Sequence, residues 1–305
     1  MKQTAFGPGK VILLGEHAVV YGHLAVAAPL SWGVSALAES AKRCELVLPK
    51  LVQGRGRRVL QAAFARAAKL AGSPPVKVRL ESDLPVSMGL GSSAAVAVAC
   101  ARVLLKVANR PATPRDVLGL ALEMEREFHG TPSGVDHTVS TLGQPIAYRR
   151  AQGQRRSRVR PLKAPRPVKL LVALVGIRSP TSQTVANLRG RTARWPDRYQ
   201  RLFKEMGQLA KEGAEALEGG DLDALGDAMN ANHGLLSAVG ISSQGLDEMV
   251  HRLRAMGALG AKLTGAGGDG GAVIGLFLEP EPAVARLTRQ GVRCFSSQVA
   301  GPRAL

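Results

Sequence analysis

Aromatic side chains are scarce in this sequence: two Trp, three Tyr and six Phe make up 4% of 305 residues. A core of ordinary size must therefore be assembled from Ala, Val and Leu. Cysteine is almost as rare. Cys44, Cys100 and Cys294 are far apart, odd in number and in no metal-ligand spacing. A disulfide scaffold or a zinc module is excluded, and a reducing compartment fits better. Long apolar runs are missing too. The longest, Val168 to Ile177, contains Lys169 and is far below the ~20 residues needed to span a bilayer. Gly7-Pro8-Gly9-Lys10 breaks any apolar stretch near the N-terminus, so no signal peptide is expected. These absences predict a soluble, cytoplasmic protein with no membrane partner.

Acidic residues are few as well: 23 Asp and Glu against 41 Lys and Arg, a formal charge of +18. Such a balance suits nucleic acid, anionic membranes or phosphate-bearing substrates, and a merely solvated basic surface accounts for it equally. Part of the excess is local, in Arg149, Arg150, Arg155, Arg156, Arg158, Arg160, Lys163 and Arg166. Tyr148 is the only aromatic there, so the stacking platform of a specific single-strand binder is lacking. The stretch reads as a mobile basic hairpin or loop. The 45% hydrophobic and 21% charged residues are those of a globular chain, long enough for two domains.

Strand patterns cover 4–14 (interrupted at Gly7–Lys10), 24–37, 44–48 and 76–81, with helices over 58–71, 94–108 and 113–129. Thr113, Pro114 and Asp116 supply helix-start chemistry. The Pro-containing basic segment 149–167 is the candidate boundary between domains 1–166 and 167–305. Beyond it come a strand at 168–177, four helical stretches between 181 and 258, strands at 259–264 and 272–278, a short helix and a last strand at 292–298. That order predicts an α+β chain whose C-terminal half is a ferredoxin-like α/β sandwich.

Two glycine-rich loops stand out. Leu84 to Ala94, with Gly89-Leu90-Gly91-Ser92-Ser93-Ala94, opens directly into a helix. Glycine permits close backbone approach, and the free N–H groups of a helix start favour an anion. A capped helix after a flexible turn would look the same. The loop has no Lys for a Walker A motif and no third Gly for a dinucleotide fingerprint. The second loop, Lys262-Leu263-Thr264-Gly265-Ala266-Gly267-Gly268-Asp269-Gly270-Gly271, lies between two apolar strands. It has far more glycine than a hairpin needs, which predicts close approach to a ligand or another loop.

On the 113–129 helix, Val117, Ala121, Met124 and Phe128 form an apolar stripe, with Leu118 and Leu122 beside it and Glu123 and Glu127 opposite. Glu125 falls at the edge of the apolar face. A buried carboxylate needs a cation or hydrogen bonds, so either a metal-ligand role or a salt bridge to Lys or Arg would account for it. Six residues later Thr131-Pro132-Ser133-Gly134-Val135-Asp136 could bring Asp136 to the same region.

Three segments together resemble the GHMP kinases, the galactokinase, homoserine, mevalonate and phosphomevalonate kinase family. They are Pro8-Gly9-Lys10-Val11-Ile12-Leu13-Leu14-Gly15-Glu16-His17, Gly89 to Ala94, and Lys262 to Gly268. Gly15 to Gly22 and Gly130 to Asp136 are most similar to the mevalonate-phosphorylating branch. The resemblance implies an N-terminal mixed αβ domain, a ferredoxin-like C-terminal domain and an active site between them. It also implies ATP and Mg2+, with mevalonate as the acceptor. By motif match Asp136 is the catalytic aspartate and Lys10 its cationic partner, while Ser93 and Glu125 are the magnesium ligands. Gly89, Leu90, Gly91, Ser92, Ser93 and Ala94, with Gly265, Ala266 and Gly267, are placed at ATP. Glu16, His17 and Thr184 are placed at the acceptor. Asp269 departs from the family's usual glycine, and Gly271 from its usual cysteine or other small residue. Rival readings are a phosphomevalonate or homoserine kinase and, from another class, a nucleic-acid binder. A homodimer is compatible with all of these.

Overall fold

The computed structural model describes residues 2–48, 54–85, 88–129, 134–152, 157–176 and 181–299, with the side chains of 55, 126–129, 181 and 182 excepted. The chain forms two compact units. One comprises Met1–Lys10, Trp32–Val86 and Gly91–Gly143; the other comprises Val11–Ser31, Ser87–Leu90 and Gln144–Leu305. Strands β1 (Lys2–Leu14) and β2 (Leu24–Ser40) contribute residues to both.

In the first unit β2 pairs antiparallel with β4 (Val76–Ser82), from Val34↔Ser82 to Ser40↔Val76, and β3 (Glu45–Val47) lies parallel on β4. Its helices are α1 (Gly54–Ala71), α2 (Ser92–Val107), α3 (Pro114–His129) and α4 (Val135–Leu142). Helix α2 packs against all three others and is apolar on nearly every side, with Ala94, Ala95, Ala97, Val98, Ala99, Cys100 and Ala101 buried. Alanine's short side chain lets neighbouring helices approach from several directions, which is how a core poor in aromatics stays filled. At the start of α3 the Asp116 N–H donates to Thr113 Oγ1 (3.2 Å), and the Thr113 hydroxyl donates to Asp116 Oδ2 (2.6 Å). This is the start chemistry that the sequence predicts.

The interruption expected in β1 is absent: the strand runs through Gly7-Pro8-Gly9-Lys10 unbroken. Among the described strands β1 pairs only with β2, so the missing Pro8 N–H can face the unpaired edge. A Cβ on Gly7 would lie 2.1 Å from the Ala95 carbonyl oxygen, so glycine is there to admit α2 rather than to break the strand.

In the second unit the arginine-rich stretch contains the expected hairpin: Arg149, Arg158 and Arg160 lie in paired strands, while Arg150, Lys163 and Arg166 lie outside them. Strand β5 (Ile146–Arg149) pairs with Leu24–Ala27 of β2, and β6 (Arg158–Pro161) pairs with β5. Ile146, Ala147 and Tyr148 are buried, and Arg160 is held to Glu218 at 2.7 Å. Arg155 and Arg156 lie outside the described residues. The remaining elements are β7 (Val168–Val175), α5 (Thr181–Arg194), α6 (Pro196–Gly219), α7 (Leu222–Ala238), α8 (Gln244–Ala255), β8 (Gly260–Thr264), β9 (Gly271–Phe277), α9 (Glu281–Arg289) and β10 (Cys294–Val299). The sheet order is β10-β7-β9-β8 with every neighbouring pair antiparallel, the ferredoxin-like arrangement expected from the element order. Its core gathers Phe203, Met206, Leu253, Leu263, Val273 and Phe277. No helix among the described residues is long and apolar enough to cross a membrane.

Candidate active site

The first unit brings Lys10 and Asp136 together across 126 positions of sequence. Lys10, near the middle of β1, is 4% exposed, and its Nζ lies 3.1 Å from Asp136 Oδ1. Asp136 is the second residue of α4, whose N-cap is Gly134 at φ 90°. One helical turn further, the Ser140 hydroxyl donates to the Pro8 carbonyl at 2.7 Å. Residues four apart share a helix face, so one face of α4 carries both contacts to β1. Of the turn leading to Asp136, residues 130–133 lie outside the described residues.

Glu125 is 3% exposed, as its place on the apolar edge of α3 predicts. Its partner is not Lys or Arg but His137, whose Nδ1 is 2.8 Å from Glu125 Oε2. The two are twelve positions apart, and nothing in the sequence signals this pairing. Glu123 pairs with Arg66 of α1 at 3.3 Å rather than standing free in solvent. Ser93 lies in the first turn of α2, behind Gly91 at φ 73°. A Cβ on Gly91 would stand 2.7 Å from Lys10 Cγ, so the lysine stem rests on the bare glycine. A serine hydroxyl and a buried carboxylate are hard oxygen donors, the set that suits magnesium.

The second unit holds a different cluster. Gly15 takes φ 85°, and a Cβ there would meet the Leu24 carbonyl at 2.3 Å. His17 takes a positive φ as well, 58° with ψ −45°, an uncommon conformation for a non-glycine residue. Between them Glu16 is 1% exposed and ion-paired with Lys262, whose ammonium is fully buried. Asn232 ties the segment further: its Nδ2 donates to Glu16 Oε2 and its Oδ1 accepts from the Gly15 N–H, both at 3.3 Å. Thr264 Oγ1 accepts from the Ile12 N–H at 2.9 Å. His17 Nε2 lies 3.2 Å from the Ala266 carbonyl oxygen. Burial, with the nearby Lys262 charge, pushes the His17 imidazole down to about 4.

The glycines of the second loop serve close approach, as expected. A Cβ on Gly265 (φ 86°) would be 3.3 Å from the Gly89 carbonyl oxygen, so the two glycine loops touch. Gly267 leaves room for the Ile241 carbonyl, 2.3 Å from where its Cβ would be. Leu90 and Ala94 are buried, Ser92 is half-buried, and Asp269 is exposed. Thr184 is 7% exposed on α5. Sequence reasoning missed Asn232 and His233. The latter bonds Asp247 at 3.0 Å and is pushed down to about 4, first by burial and then by the Lys262 charge.

Comparison with known proteins gives a consistent answer. Residues 57–144 match the model for the GHMP kinases N terminal domain, and residues 214–293 the model for GHMP kinases C terminal. A curated mevalonate kinase of Aeropyrum pernix is 38% identical over 91% of this chain and 89% of its own length. One from Methanothermobacter thermautotrophicus is 32% identical over 88% and 89%. Among solved structures, L. major mevalonate kinase in complex with R-mevalonate superposes with a TM-score of 0.84 at 29% identity, covering 99% of this chain and 97% of that one.

Proposed function

This chain belongs to the GHMP kinase family, and on that footing we propose that it transfers the γ-phosphoryl group of ATP to the 5-hydroxyl of mevalonate. The products are mevalonate 5-phosphate and ADP. The observation that carries the reading is the Lys10–Asp136 contact: a cation 4% exposed, paired with an aspartate that solvent and ligand can still reach. Phosphoryl transfer asks a protein mainly to position its reactants and to neutralise charge. Asp136 orients the acceptor hydroxyl and takes its proton as the oxygen bonds to the γ-phosphorus. The bond to the β–γ bridging oxygen breaks, and its electrons leave with ADP. Lys10 offsets negative charge at the acceptor oxygen and holds the Asp136 side chain in place by direct contact.

The segment Gly89 to Ala94 offers backbone N–H groups and the positive end of α2 to the triphosphate, and Gly265, Ala266 and Gly267 are assigned to ATP by the family resemblance. Ser93 and Glu125 are the residues that would hold magnesium, which neutralises the phosphate oxygens when bound. His17 and Thr184 face the acceptor in this reading, and Glu16, buried beneath, fixes the turn that carries His17. The identities to curated mevalonate kinases support the choice of acceptor over other members of the family. A coupled ADP-release assay across mevalonate, phosphomevalonate, homoserine and galactose tests it. Mevalonate is expected to give the highest kcat/KM. A roughly tenfold advantage for any of the others, about 1.4 kcal/mol in transition-state binding, would leave the family and remove the substrate.

A further inference from the structure

Among the described residues Lys262 is the largest polar side chain that is wholly buried, and phosphoryl transfer as described above gives it no task. Its ammonium carries three donors. One goes to Glu16, one to the Leu263 carbonyl at 2.6 Å and one to the Ile12 carbonyl at 3.3 Å. With all three spent inside the protein, the cation acts on a ligand only through its neighbours. Those neighbours form one chain of contacts. Glu16 is held by Lys262 and Asn232, Asn232 holds the Gly15 N–H, and His17 follows with a positive φ of 58°. His17 in turn meets the Ala266 carbonyl, in the loop that follows β8, the strand carrying Lys262.

A carbonyl oxygen can only accept a hydrogen bond, so the contact at 3.2 Å requires a proton on His17 Nε2. The lowered proton affinity of the ring keeps it neutral near pH 7, leaving Nδ1 as an unprotonated acceptor. A buried ion pair is a poor source of net stability but a good way to fix geometry.

We propose that Lys262 is a positioning residue for acceptor binding: through Glu16 it locks the Gly15–His17 turn so that His17 presents Nδ1 as a hydrogen-bond acceptor to a hydroxyl of the substrate. This deepens, and rests on, the assignment of His17 to the acceptor site. The group recognised is thereby a donor, a hydroxyl rather than a carboxylate. A ring presenting N–H outward would select the reverse.

Two measurements test the proposal. In the wild-type protein, nitrogen NMR of labelled histidine, with His17 assigned by its loss in His17→Asn, should show a neutral Nε2–H tautomer near pH 7. Added mevalonate should shift its Nδ1 resonance, and added ATP should not. In the paired variant Lys262→Met with Glu16→Gln, which removes both buried charges and so strands neither, KM for mevalonate should rise about tenfold or more. KM for ATP and kcat should change by less than about threefold. A protonated ring, an Nδ1–H tautomer or an Nδ1 resonance indifferent to mevalonate would overturn the proposal even if the paired variant does not fold. So would a folded variant with unchanged KM for mevalonate, or with both KM values raised together. Wild-type turnover is assayed alongside. If mevalonate is not phosphorylated at all, the functional assignment fails; if it is and Nδ1 stays silent, only the role of Lys262 and His17 fails.

Discussion

Replacing Asp136 by Asn keeps size and shape at the second position of α4 while removing a charge and a proton acceptor. The structure allows both consequences to be sized. At 3.1 Å from Lys10 Nζ, a full negative charge contributes roughly 5 kcal/mol of attraction at an effective dielectric of about 20. The Asp136 side chain is 33% exposed, so solvent screens much of this, and a net loss of about 1–3 kcal/mol is the reasonable expectation. That is survivable for a protein of ordinary stability, about 5–15 kcal/mol. Helix capping adds little to the loss, because Gly134 occupies the N-cap. The catalytic consequence is larger. Loss of general-base help costs about 10²–10⁴ in rate, equivalent to roughly 3–5 kcal/mol of barrier. Asp136→Asn should therefore melt a few degrees below wild type, keep KM for ATP nearly unchanged, and lose kcat by two to four orders of magnitude. The assay is steady-state ADP release at saturating mevalonate, with a thermal melt on the same preparation. A folded Asp136→Asn protein that retains more than about a tenth of wild-type kcat refutes the assignment, because it would fall well short of general-base removal.

Glu125→Gln should weaken magnesium dependence far more than Glu123→Gln. Glu125 is buried on α3, whereas Glu123 is spent on a surface pair with Arg66; equal metal titrations for the two would take Glu125 out of the metal site. Asp269→Gly should leave kcat and KM for ATP within about threefold of wild type, since its side chain is exposed, and a larger change in KM for ATP would put that carboxylate at the phosphates. Stability should fall as pH drops from about 6.5 toward about 4. His17 and His233 are held neutral in the folded protein, and the unfolded chain takes up their protons first. Melting temperature against pH checks this, and His233→Gln should flatten the slope over that window; an unaltered slope would remove His233 from the account.

Local chemistry in the sequence determined a good deal. The Thr113–Asp116 start, the alanine-rich α2, the apolar stripe that carries Glu125 inward and the order of elements from β7 to β10 depend on neighbours within a turn or a strand. Composition and periodicity report such neighbours directly. Glycine was legible as a demand for close approach, and Gly265 against Gly89 meets it. The β1 interruption was misread because a Gly-Pro-Gly run signals a turn unless something packs on it. Here α2 does, at Ala95, and only the packed structure contains that fact.

Side-chain partners were decided by tertiary structure. Lys10 and Asp136 were separately conspicuous in the sequence, but their contact depends on α4 lying with one face on β1, pinned by Ser140. Glu125 could be placed inward by helix geometry, yet its partner His137 comes from another helix. Glu16 and Lys262, 246 positions apart, meet only because β8 of one sheet lies beside the end of β1. A sequence fixes what each residue can donate, accept or bury. The fold alone decides which of those capacities face each other, because contact between distant residues is set by the packing of whole elements and not by local spacing.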